Sequence, residues 1–198
     1  MLTIIWWSWT YFGNNLDSLD AWLTESNLFT STYNYLIGKT EQDCAVKKNR
    51  EAYATVLLSA HLYVCGAIAA AQSVRMAGST RDLVILVDET ISEYHKSGLQ
   101  MAGWKVRTIL RIRNPKAEKY AYNAWNYSKF RLWQLTDYDK IIFIDSDLLI
   151  RRNIDFLFSM PEISARGNNG VLFNSGVMVI EPSNCTFQLL MDHITDIE

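Results

Sequence analysis

The sequence predicts a three-layer α/β fold of nucleotide-binding type, with a parallel sheet and right-handed crossovers. Two patterns carry that expectation. From Glu51 to Leu110, β-favouring runs alternate with stretches of helical period, and further on the apolar run Ile141-Ile-Phe-Ile144 ends on two carboxylates, Asp145 and Asp147. Strands of such sheets present ligand-binding groups at their carboxyl ends. Composition agrees: 49% of the 198 residues are hydrophobic, enough for a sizeable core, while a charged fraction of 20% and a net charge of -2 exclude both a disordered chain and a general coat for nucleic acid.

Residues 1–50 lack a sustained period, mixing Trp6, Trp7, Trp9 and Trp22 with Asn, Asp, Ser and Thr, and read as a loosely specified lead-in to a domain over residues 51–198. Met1 to Trp9 is apolar, but Asn14, Asn15 and Asp17 follow too soon for a membrane span, and the basic start of a signal peptide is missing. Residues 52–58 form the first buried strand, bounded by Ser59 and His61. A helix follows, with Val64, Ile68, Ala71 and Val74 at helical spacing and Gly78-Ser79-Thr80 as its stop. Leu83 to Val87 is the second strand, ending in Asp88 and Glu89. Ile91, Tyr94, His95, Leu99 and Ala102 fall on one helical face, closed by Gly103 before a strand from Lys105 to Leu110.

Arg111 to Asn126 reads as a long functional loop, Ser128 to Leu135 as a short helix, and Thr136-Asp137-Tyr138 as the turn into the strand that carries the carboxylates. Ile154 to Phe158 is a second short helix, Pro161 breaks the pattern, Gly167-Asn-Asn-Gly170 is a turn, and Gly176 to Ile180 is a strand. Phe187, Leu190, Met191 and Ile194 make a closing amphipathic stripe. Three scattered cysteines, Cys44, Cys65 and Cys185, form neither a disulfide framework nor a thiolate site, and Cys65 is expected to pack. The sequons Asn126-Tyr127-Ser128 and Asn184-Cys185-Thr186 matter in a secretory lumen.

Two hard oxygen donors at i, i+2 suit Mg²⁺ or Mn²⁺, the usual escorts of a diphosphate. The blander alternative for a bare Asp-x-Asp is a strand exit with two solvated acids, but the apolar residues on both sides bring these charges close to a core, where unpaired carboxylates are costly. Lys129 is the best second positive contact for a phosphate or a sugar carboxylate, with solvent as the competing destination. Asn174-Ser175-Gly176 reads as an active-site turn or as a plain one. His61, His95 and His193 make no spaced set with the aspartates and are assigned to no metal. The basic run from Lys105 to Arg131 reads as a solvated face. Its interleaved aromatics, Tyr120 to Trp133, suit sugar stacking or single-stranded nucleic acid, with core packing taking at least half of them.

Together these residues resemble glycosyltransferase family 8, the glycogenin-like retaining enzymes, from about Glu51 to the end of the chain. The resemblance implies a Rossmann-like nucleotide-sugar-binding domain of the GT-A type. It also implies uracil contacts from Val56, Leu58, Ser59 and Tyr63, a Mn²⁺ motif in Asp145-Ser146-Asp147, the lysine-bearing helix at Lys129, and sugar contacts from Asn174, Ser175 and Gly176. Asn114 to Glu118, Ala124 to Lys129 and Arg152 to Phe158 are most similar to the plant xylan glucuronosyltransferases. The implied reaction moves glucuronate from UDP-glucuronate onto a xylan backbone in the Golgi lumen, with no nucleic-acid partner. A basic loop around Arg111 and Arg113 suits the uronate. Relatives carry a histidine ligand and a Gly-Asp-Gln segment downstream of the position of Glu198, and an amino-terminal anchor. The expectation is therefore a chain truncated at its carboxyl end, with a surviving donor half, an incomplete catalytic site, and no anchor of its own. The competing readings are a UDP-glucose-using glycogenin-like enzyme, a UDP-binding module without turnover, and a haloacid-dehalogenase-like phosphatase. The phosphatase is disfavoured because Leu149 stands where those enzymes usually have threonine.

Overall fold

The computed structural model describes residues 50–121, 123–168 and 172–197. Apart from Arg50, the lead-in predicted over residues 1–50 lies outside the described residues, as does Cys44. The elements run in the order β1 (Glu51–Leu57), α1 (Ala60–Met76), β2 (Asp82–Val87), α2 (Glu93–Met101) and β3 (Lys105–Thr108). A 3₁₀ segment (Asn126–Gln134), β4 (Lys140–Ile144), a short 3₁₀ turn (Asp155–Ser159), β5 (Ala165–Asn168), β6 (Leu172–Ile180) and α3 (Asn184–Asp192) complete the described chain.

The six strands form one sheet in the order β3-β2-β1-β4-β6-β5. Side chains alternate across it as the period of two requires. Tyr53, Leu57, Leu83, Ile85, Val87, Ile142, Ile144 and Val179 face one core with α1 and α2. Ala52, Ala54, Val84, Leu86, Ile141, Phe143, Met178 and Ile180 face the other, covered by Leu132, Trp133 and Leu135 and flanked by Phe187 and Leu190 of α3. Both faces are therefore covered, and the predicted three layers are present. Ala67, Ala70 and Ala71 of α1 are fully buried, and their small size lets that helix lie close to the sheet. α1 ends where Gly78 takes φ 86°, a left-handed conformation that glycine adopts without strain.

β1 to β4 pair in parallel, as the alternation predicts. The other half of the sheet departs from the expectation: β6 runs antiparallel to β4, and β5 antiparallel to β6. Gly167 belongs to β5, so the predicted turn does not begin there. β6 starts at Leu172, upstream of the expected strand, so Asn174-Ser175-Gly176 lies inside a strand and not in a turn before one. Asn, Ser and Gly are all poor strand formers, and tertiary pairing overrides that propensity. Tyr94 points to solvent, while Ile91, Leu99 and Ala102 face inward, because the inward stripe passes through His95. Cys65 is exposed, lying on the side of α1 turned away from its buried alanines.

The turn before β4 is fastened from below. Tyr138 lies under the guanidinium groups of Arg50 and Arg107, 5.0 and 5.7 Å from the ring centre, and its hydroxyl donates to Asp82 at 2.8 Å. At the far side, Glu162 Oε1 accepts from Trp133 Nε1 at 2.7 Å and from the Glu181 amide at 3.3 Å. Burial pushes the Glu162 carboxyl up from 4.5 to about 7, against the lowering effect of the Trp133 bond. A carboxyl raised in the folded state favours folding below its unfolded value, and that contribution is lost as pH rises through about 7. Glu162→Gln keeps an acceptor oxygen and cannot ionise. It should raise the melting temperature at pH 8 by several degrees and leave it nearly unchanged at pH 4, as calorimetric scans at the two pH values would read.

Candidate active site

The strand order reverses between β1 and β4, the position at which open α/β sheets bind ligands beyond their carboxyl ends. A cleft of about 400 Å³ opens there. Val56, Leu58, Ser59 and Tyr63 line it from the end of β1 and the start of α1, and Asp145, Ser146 and Asp147 from the end of β4. Lys129 of the 3₁₀ segment closes the side between them.

Three contacts hold the Asp145–Asp147 turn. The Asp145 amide donates to Gly176 O at 2.9 Å, extending the antiparallel β4–β6 ladder by one step, and Leu148 N donates back to Asp145 O at 3.1 Å. Ile150 N then donates to Ser73 Oγ of α1 at 2.9 Å. Between these anchors α1 passes so close that a Cβ on Gly66 would stand 2.5 Å from the Ser146 carbonyl oxygen. Gly66 is thus required by approach and not by backbone conformation, and Ser146 is buried beneath the helix.

Lys129 Nζ lies 2.9 Å from Asp145 Oδ1 and donates at 3.3 Å to both the carbonyl oxygen and Oγ of Ser175. It also sits 4.6 Å from the centre of the Phe143 ring. Gly176 passes beside the same carboxylate: a Cβ there would lie 3.4 Å from Asp145 Oδ2 and 2.8 Å from Asn174 Oδ1, which already accepts from the Gly176 amide. The antiparallel course of β6 thereby brings all three residues of the Asn174-Ser175-Gly176 segment to the exit of β4. The Asp145 side chain keeps 38% of its surface open to solvent, yet protein surrounds the rest. That desolvation pushes its carboxyl above the usual range, opposed by Lys129 and reinforced by the charge of Asp147.

A divalent cation fits this donor set. Two carboxylates two residues apart repel each other, one is desolvated, and both supply the hard oxygens that Mg²⁺ or Mn²⁺ prefers, leaving further positions for phosphate and water. Among the described residues no His, Cys, Asp or Glu joins them as a third member of a metal-holding group. His95 bonds Ser92 and His193 bonds Asp196, each near its own helix end.

The sequence marks Trp125 only as one of a run of aromatics that suit sugar stacking and Arg111 only as part of a basic loop, and it does not mark Asn126 as a cleft residue; all three line the cleft. Arg111 pairs with the buried Asp88 and donates to Leu58 O at 2.9 Å. Arg113 instead donates to the carbonyl oxygens of Asn114 and Ala117 within its own loop. Ser128, fully buried, accepts from the Ile112 amide at 3.0 Å and so ties the Arg111 loop to the Lys129 segment. Asp88 at the end of β2 was the available signal, since an acidic residue closing a buried strand needs a cation.

A mixed sheet of this order with a carboxylate pair at the exit of β4 defines the GT-A class of glycosyltransferase fold, whose members generally use a divalent metal. Solved structures agree on the fold. The galactosyltransferase LgtC in complex with donor and acceptor sugar analogues superposes with a TM-score of 0.55 at 16% identity, covering 73% of this chain and 64% of that one. The glycosyltransferase GlyE of Streptococcus pneumoniae TIGR4 gives 0.54 at 21% identity, covering 76% and 39%. The family model for glycosyl transferase family 8 matches residues 54–163. The chain belongs to that family, which sets the phosphatase reading aside. It is 69% identical over 190 residues to UDP-glucuronate:xylan alpha-glucuronosyltransferase 1 of Arabidopsis thaliana, covering 90% of this chain and 29% of that protein. It is also 34% identical over 146 residues to inositol phosphorylceramide glucuronosyltransferase 1 of the same plant, covering 73% and 27%. The chain therefore spans less than a third of the length of these curated relatives.

The close approach at Gly66 makes a paired prediction. Gly66→Ala should destabilise the fold by about 1–3 kcal/mol, because backbone must move to admit the methyl group. Gly98→Ala in α2, where a Cβ meets nothing within 4 Å, should stabilise by up to about 1 kcal/mol through helix propensity. Urea unfolding of both variants checks the contrast.

Proposed function

We propose that this chain forms the donor-binding part of a retaining, Mn²⁺-dependent glycosyltransferase that moves glucuronate from UDP-glucuronate onto xylan, in the Golgi lumen, during plant cell-wall synthesis. The observation that carries the reading is the convergence of Asp145, Asp147 and Lys129 on one cleft at the point where the strand order reverses. The 69% identity to a xylan glucuronosyltransferase supports the donor and acceptor.

In this reading Asp145 and Asp147 hold the cation. A bound Mn²⁺ supplies positive charge to the diphosphate as its bond to the sugar breaks. Lys129 adds a second charge from the protein itself. Its two bonds to Ser175 are long, so a phosphate oxygen competes for those protons while the Asp145 pair keeps the ammonium in place. Val56, Leu58, Ser59 and Tyr63 border the nucleoside, with Ser146 buried under α1 to hold the turn. Asn174, Ser175 and Gly176, at the β6 side of Asp145, meet the sugar in the same reading.

Transfer of glucuronate from UDP-glucuronate to a xylo-oligosaccharide by a full-length protein that carries this segment, followed by mass spectrometry, tests the reading. Asp147→Asn should lower the rate on the order of a hundredfold at saturating Mn²⁺, the usual cost of losing a group that stabilises transition-state charge. An unchanged rate removes Asp147 from the site, and transfer of glucose in place of glucuronate redirects the donor assignment.

A further inference from the structure

The cationic side chains lining the cleft, Lys129 and Arg111, stand in different surroundings. Lys129 is bound to the carboxylate turn at the exit of β4. Arg111 is fastened across the ends of β1 and β2: Nε donates to Asp88, and Nη2 donates to Leu58 O at 2.9 Å and to Thr90 Oγ1 at 3.1 Å. Thr90 in turn donates to Asp88 Oδ1 at 2.8 Å, and Asp88 is 2% exposed. The guanidinium lies 5.6 Å from the centre of the Trp125 ring, and Nη1 takes part in none of these bonds. Near Lys129 the lining is carboxylate and hydroxyl; near Arg111 it is Leu58 and Trp125. The cleft has a carboxylate-rich half at β4 and, at the end of β1, a flat-sided half whose one charged lining residue, Arg111, is matched by Asp88 behind it.

A nucleoside diphosphate is divided in the same way. If its phosphates belong with Asp145, Asp147 and Lys129, its planar base extends toward Arg111. Charge points the same way. Asp88 already matches the guanidinium, so the remaining N–H groups suit a neutral carbonyl oxygen better than a second carboxylate. We propose that Arg111, locked in place by the buried Asp88, is the base-selecting residue of the donor site, donating to a carbonyl oxygen of the pyrimidine beside Trp125. This rests on the donor-site reading above. It assigns Arg111 to the base and not to the uronate.

Calorimetry on the 198-residue chain in Mn²⁺ tests it, with UMP, inorganic diphosphate, UDP-glucose and UDP-glucuronate as probes. Arg111→Lys keeps a charge beside Asp88 and removes the fork. It should weaken UMP about tenfold and leave diphosphate unchanged, the cost of one charged hydrogen bond. Equal weakening of diphosphate places Arg111 on the phosphates and overturns the proposal. A loss confined to UDP-glucuronate relative to UDP-glucose places it on the uronate and does the same, as does unchanged UMP binding. Should Arg111→Lys unfold, Trp125→Ala must give the same split between UMP and diphosphate, and failure to do so overturns the assignment. A wild-type chain that binds diphosphate but not UMP overturns the base assignment alone; one that binds neither overturns the donor-site reading with it.

Discussion

The site depends on how tightly the turn after β4 is clamped between α1 and β6. A carboxylate pair at a strand exit has no fixed geometry of its own, because its backbone has left the ladder. Here Gly176 O extends the ladder to the Asp145 amide, and Ser73 Oγ receives the Ile150 amide beyond the turn. Between them the missing side chain of Gly66 lets α1 press against the Ser146 carbonyl. These contacts consist of one backbone–backbone hydrogen bond, one from a backbone amide to a serine hydroxyl, and close packing, all of which are short-ranged. Small displacements of α1 therefore reach Asp145 and Asp147 directly.

The clamp depends on the change of strand direction at β4. Parallel strands β1 to β4 deliver their carboxyl ends to one edge. An antiparallel β6 brings to that edge its own amino-terminal half, with residues 174–176 in the three positions immediately beyond the last paired residue, Val177. A parallel strand in that place would present its carboxyl end instead and leave Lys129 without Ser175. The mixed sheet is thus what sets a lysine, a carboxylate and a hydroxyl-bearing strand within hydrogen-bonding distance. The Arg111 loop reaches the same cleft because Ser128 bonds both the amide and the carbonyl of Ile112.

Much of this is legible in the sequence. Strands β1, β2 and β4 are continuous apolar runs buried on both faces, and such runs have few alternatives. Asp145, Asp147 and Lys129 stood out because charge beside apolar sequence needs a partner. What was not legible depends on contacts distant in sequence. β6 reads as a strand only from Gly176 onward, since Asn174, Ser175 and Gly176 favour turns when judged alone, and nothing local reveals strand direction. Gly66 sits in an alanine-rich helix where a glycine looks incidental until the Ser146 carbonyl is placed against it. Tyr94 and His95 are adjacent positions, one helical step of 100° apart, and the pattern could not say which of the two faces inward. Arg111 looked like one of several basic loop residues; its distinction is Asp88, 23 positions earlier.

The central claim is that Asp145 and Asp147 together hold a divalent cation that binds a nucleoside diphosphate in the β1–β4 cleft. The most direct measurement is anomalous diffraction from crystals of the chain soaked with Mn²⁺ and UDP. The account predicts one anomalous peak in contact with both carboxylates and with the phosphates. Ordered UDP in the cleft with no peak between Asp145 and Asp147, or a peak elsewhere with that position empty, contradicts it.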